Sequence, residues 1–138
     1  MVEVEHTITL DDVVGRLGQL GYHVDVANTN DVEQLKYTIR YFTQYASNFC
    51  NIKSIPEIVN PRVIDRICSD FLFHKKNMGL LKDFDYSIAV RSLTEGDTSI
   101  TYAIGQGNET MESRFDASVR QLERGFDKWL TPHRRLRW

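Results

Sequence analysis

The sequence predicts a mainly α protein, a small bundle of about four helices with a short β-hairpin or extended arm and flexible termini. Three observations predict it. Apolar residues recur at steps of three and four in four separate segments. Residues that start and stop helices bracket those segments. Only one stretch, TSITYAI, alternates convincingly with the two-residue period of a strand. A length of 138 residues suits one domain, residues 1–138, with a core that needs neither metal nor disulfide.

Residues 1–8 read as an extended N-terminal arm. The first helix opens at Thr9, which has capping-box spacing with Asp12. Leu10, Val13, Val14, Leu17 and Leu20 share one face, and Gly21 suits a left-handed stop. Gly15 and Gly18 weaken this helix. Asn30 and Glu33 have capping spacing for the second helix. Its stripe is Val32, Leu35, Ile39, Phe42, Ala46 and Phe49. Tyr37, Tyr41 and Tyr45 lie at spacing four on a flanking face, either as core margin or as a subunit interface.

In the third helix Asn60 is the expected cap and Pro61 the first helical residue. Val63, Ile64, Ile67, Cys68, Phe71, Leu72 and Met78 make a face broad enough for a central helix. HKKNMG closes it, with cations against the dipole and Gly79 as the stop, and reads as a solvated helix end. Residues 84–104 are ambiguous. Tyr86, Ile88 and Val90 alternate as in a strand, but Asp85 equally suits the cap of a short helix. Ile100, Tyr102 and Ile104 read as strand, TEGD as a turn, and GQGNE as a flexible link. The last helix is expected over 109–130, with Phe115, Val119, Leu122, Phe126 and Trp129 as its stripe. Pro132 ends it, and a basic tail occupies 131–138.

The net charge of −2 argues against general nucleic-acid binding, and no run approaches the ~20 apolar residues of a membrane span. The beginning MVEVEHTITL lacks the pattern of a signal peptide, so Cys50 and Cys68 are expected to be reduced. Charge is uneven. Residues 1–33 hold Glu3, Glu5, Asp11, Asp12, Asp25, Asp31 and Glu33 against Arg16 alone. Residues 120–138 hold Arg120, Arg124, Lys128, Arg134, Arg135 and Arg137 against Glu123 and Asp127. These ends are either simply solvated or complementary to neighbouring copies or an acidic partner.

Catalysis finds little footing. His6, His23, His74 and His133 pair with no acid or cysteine at a telling spacing, and two cysteines do not make a four-ligand zinc site. GQGNET lacks the Lys and Ser/Thr of a phosphate loop and reads as a hinge. Cys68 lies on an apolar stripe as a small core residue. Glu95 and Asp97 sit in a turn, where paired carboxylates are common, and join the three tyrosines as candidate subunit-interface residues. No enzyme activity, metal or cofactor is expected. Arg62 and Arg66 on the third helix raise an alternative, a small DNA-binding or regulatory domain using its basic end. That helix is too apolar, and NIKSIPEIVN too long, for a helix-turn-helix.

FCNIKSIPE, RICSDFLFHKKNMGLLKDFD, VRSLTEGDTSITYAIGQG, RFDASVRQL and RRLRW follow one another over residues 49–138. In that order they resemble the head–tail adaptor family of long-tailed bacteriophages, also called head-completion or connector proteins. The resemblance implies a helical structural protein without enzymatic activity. Copies would form a ring, commonly of twelve, beneath the portal protein of the DNA-filled capsid. The ring would extend the channel through which genomic DNA passes without sequence-specific binding. It would also offer a platform to the neck stopper or another tail-side protein. The expected location is the virion neck, after synthesis in the host cytoplasm, with no membrane partner. The tail residues Arg134, Arg135, Leu136, Arg137 and Trp138 carry the expected grip on the portal.

A magnitude bears on that tail. Burying Trp138 removes ~150–250 Å² from water, about 4–6 kcal/mol at ~25 cal/mol per Å². Ordering about six residues costs roughly 1–2 kcal/mol each. Even with Leu136 and the arginines helping, one tail therefore only about breaks even, whereas several on one ring raise each other's effective concentration. The tail is expected to be loose on the monomer and ordered in the assembly.

Overall fold

The computed structural model describes residues 8–53, 55–95 and 110–135. Five α-helices are present among them: α1 (Leu10–Gln19), α2 (Thr29–Cys50), α3 (Asn60–Asn77), α4 (Tyr86–Thr94) and α5 (Met111–Leu130). Short 3-10 turns, Glu57–Val59 and Thr131–His133, precede α3 and follow α5. The mainly α class expected from the sequence is therefore observed.

The capping box of α1 forms in both directions. Thr9 Oγ1 accepts from the Asp12 N–H at 3.2 Å, and Asp12 Oδ2 accepts from the Thr9 N–H at 3.0 Å. Val13, Leu17 and Leu20 are buried beneath it. The start of α2 differs from expectation. Asn28, not Asn30, is the cap, its side chain accepting from the Asp31 N–H at 3.4 Å. Asp31 is itself buried and anchored, which fixes the first turn two residues earlier.

The broad face of α3 does mark a central helix. Val63, Ile67, Cys68, Phe71 and Leu72 are all completely buried, and α3 packs against α1, α2 and α5. Two details differ. Asn60 is the first helical residue rather than the cap, because the preceding 3-10 turn runs directly into α3. Met78 lies past the core stripe and is 59% exposed.

Residues 86–94 form α4, not a strand. Asp85 Oδ1 accepts from the Ser87 N–H at 3.0 Å, so the cap is real. Ala89, Val90 and Leu93 are the buried residues, and α4 packs on α5 and α1. That helical spacing, sealed by burial, outweighs the two-residue alternation of Tyr86, Ile88 and Val90. No strand occurs among the described residues. Residues 100–104, the better strand candidate, lie outside them, as do the N-terminal arm up to residue 7 and the GQGNE link.

In α5, Thr110 Oγ1 caps by accepting from the Ser113 N–H at 3.1 Å. Phe115, Val119, Leu122 and Phe126 are buried, and Trp129 packs partly buried against the core. Arg16 ties three helices together. Its Nε donates to Asp65 Oδ1 on α3 at 2.7 Å, and its Nη2 donates to the Ser92 carbonyl on α4 at 3.1 Å.

Candidate interaction surfaces

The base of the basic tail is clasped by its own domain. α2 ends at Asn51 with φ 55°, a left-handed conformation that Asn tolerates. This turn leaves the Cys50 carbonyl free of the helix, and it accepts from the Arg135 N–H at 2.8 Å. Asn51 Nδ2 donates to the Arg135 carbonyl at 2.9 Å. The Arg134 guanidinium lies 5.4 Å from the centre of the Phe49 ring. Arg134 and Arg135 are thus held, which corrects, for these two residues, the expectation of a tail loose on the monomer. Leu136, Arg137 and Trp138 lie outside the described residues.

Tyr37, Tyr41 and Tyr45 follow α2 along one groove. Tyr37 is 67% exposed and Tyr41 54%. Tyr45 is half-buried, stacked between Phe49 and Phe126, and its hydroxyl donates to Asp127. That hydrogen bond, together with burial, pushes the Tyr45 phenol up to about 12. The groove has a volume of about 510 Å³ and opens between α2, α3 and α5. Asp70, Glu123 and Asp127 bring three carboxylates to it, against the single guanidinium of Arg66. Burial raises the Asp70 carboxyl above the usual range, and nearby Glu123 adds to the effect. Glu95 is exposed at the end of α4 and does not line this groove; Asp97 is outside the described residues.

The arginines of α3 are engaged within the fold. Arg62 lies over the Trp129 ring at 5.5 Å and Arg66 over the Phe42 ring at 4.7 Å, with Asp70 3.7 Å from Arg66. They are not arrayed as a recognition helix would present them. The end of α3 is not a solvated cluster either. Lys75 is buried and pairs with Asp31, which also accepts from the Tyr22 hydroxyl at 2.7 Å. Burial and this carboxylate hold the Tyr22 phenol well above its usual range. Lys76 binds both oxygens of Asp116 at 2.7 Å. Burial opposes the Lys76 charge, but Asp116 and Glu112 more than offset it and raise its pKa. Sequence reasoning missed this network because its members are 9, 44 and 40 residues apart along the chain (Tyr22 to Asp31, Asp31 to Lys75, Lys76 to Asp116).

Both cysteines are free and buried. Burial raises the Cys68 thiol well above the usual range, with Asp65 adding; burial also raises Cys50, against the opposing charge of Arg134. Neither is poised as a thiolate. Among the described residues no group of three or more His, Cys, Asp or Glu could hold a metal ion, and no helix is long and apolar enough to cross a membrane. Comparison with protein-family models, with curated proteins and with solved structures finds no match.

Proposed function

We propose that this protein is a structural adaptor of the phage neck, forming a ring beneath the portal and joining the capsid to a neck stopper or tail-side protein. The sequence resemblance over residues 49–138 supplies the reading. The observation that carries it furthest is the clasp at the tail's base. Cys50 and Asn51 hold the Arg135 backbone, so the Arg-Leu-Arg-Trp end is launched from a fixed point on the bundle. A partner then has only residues 136–138 to immobilise instead of six, which reduces the ordering cost to roughly 3–6 kcal/mol. Burial of Trp138 offsets that cost on its own scale of about 4–6 kcal/mol. The arginine forks add bidentate pairing with portal carboxylates. Assembly, not catalysis, is the mechanism, and DNA passes the ring without base-specific contact.

The test is binding of the full chain to purified portal, compared with a chain lacking residues 136–138. That deletion spares the Arg135 clasp, so the fold stays intact. Loss of portal binding is expected. Undiminished binding would sink the role assigned to the tail.

A further inference from the structure

Two grooves of opposite charge open on opposite flanks of α5. At 3.6 residues per turn, Glu123 and Gly125 are separated by roughly 160° around the helix axis. Glu123 and Asp127 face the tyrosine groove, whose carboxylates outnumber its one guanidinium three to one. Gly125 faces a second groove of about 460 Å³, walled by Trp129 and lined by Arg62, Lys128 and His133 without any carboxylate. The first has an aromatic wall and a surplus of carboxylates, the second an aromatic wall and the exposed cation Lys128, which are the features of a surface that takes a partner. Within one copy the two cannot meet, because the same helix lies between them.

We infer that the two grooves are the halves of a head-to-tail contact between copies of this chain, the tyrosine groove of one receiving the Lys128 and Trp129 flank of the next. Such a contact is heterologous, and repetition closes it into a ring or extends it as a filament. Exposed Tyr37 and Tyr41 supply rigid aromatic area at its rim. Asp70, already burdened by burial and by Glu123, gains a second cation from the neighbour. The inference deepens the ring reading above and moves its electrostatics. The acidic half is built by α3 and α5, not by the acidic residues 1–33.

The experiment uses the full chain in a concentration series, followed by sedimentation velocity and by amide chemical shifts. Self-association is expected, with concentration-dependent shifts at residues of both grooves. Glu123→Lys and Lys128→Glu, both on the exposed side of α5, should each weaken it by at least about tenfold, since like charges then face each other. An equimolar mixture of the two variants should restore it, because contacts between one variant and the other again pair opposite signs and the two can alternate. Circular dichroism confirms that both variants are folded. A wild-type chain that stays monomeric throughout overturns the contact, as does association indifferent to either reversal or a mixture that fails to recover. Portal binding is measured separately. A chain that binds portal without self-associating overturns this contact alone. One that self-associates through the grooves but ignores portal overturns the adaptor function alone.

Discussion

Lys75 shows how much a single residue can depend on the fold around it. In the sequence it belongs to a cationic helix end, yet its side chain is only 11% exposed and faces Asp31 at 4%. Removing one partner of a buried pair leaves the other charge uncompensated. Lys75→Ala should therefore cost about 3–5 kcal/mol in urea unfolding, far more than a surface lysine. The tyrosines give a pH signature. The Tyr45 phenol is raised to about 12 by its hydrogen bond to Asp127 and by burial, and Tyr22 is raised by burial and by Asp31. An unfolded tyrosine titrates near ~10. Because the folded values are higher, this stabilisation is complete below pH ~10 and is lost as the pH rises through the folded values. Phenolate absorbance should show Tyr45 ionising near 12, and Asp127→Ala should bring it back toward ~10.

At the scale of elements, α1, α2 and α3 end by one device. In α1 the Tyr22 N–H reaches the Leu17 carbonyl and the Gly21 N–H that of Gly18. Ile52 to Ser47 with Asn51 to Asn48, and Leu80 to Lys75 with Gly79 to Lys76, repeat the pattern. This is the Schellman motif, with Gly or Asn at the left-handed position. Gly21 and Gly79 are readable in the sequence as such stops. Asn51 is not, because Asn is common in loops for other reasons. Gly21 has φ 95°, so Gly21→Ala should destabilise by about 1–2 kcal/mol through backbone strain alone, its added Cβ meeting Ile88 only at an ordinary 3.6 Å. Gly15→Ala should do the opposite. It lies inside α1 with no atom within 4 Å of an added Cβ, and should raise stability by roughly 0.5–1 kcal/mol in thermal unfolding. The identity of α4 was not legible in its own residues. Asp85, Ala89 and Leu93 suit a helix, and Tyr86, Ile88 and Val90 suit a strand equally well. The apolar side of α5 decided between them.

At the scale of the whole molecule, the C-terminal segment is anchored at Arg135. Residues 134 and 135 belong mechanically to the bundle, because α2's final turn holds them. Removing residues 134–138 should lower the melting temperature by deleting that clasp, whereas removing 136–138 should leave it unchanged. Thermal unfolding followed by circular dichroism separates the two. Portal binding should fall in both.

Four of the five helices, the Thr9 cap, the Gly21 and Gly79 stops and the larger part of the core were determined by the sequence itself, because periodicity and capping act over three or four residues and are visible wherever the chain is read. The tail's chemistry was equally visible, as was the tyrosine spacing along α2. The anchoring of Arg135 on Cys50, the burial of Lys75 against Asp31 and the charge of the tyrosine groove were decided only in three dimensions. Each joins residues tens of positions apart, and whether a charge is solvated, paired or left in surplus depends on which side chains the packed helices bring within a few ångströms of it.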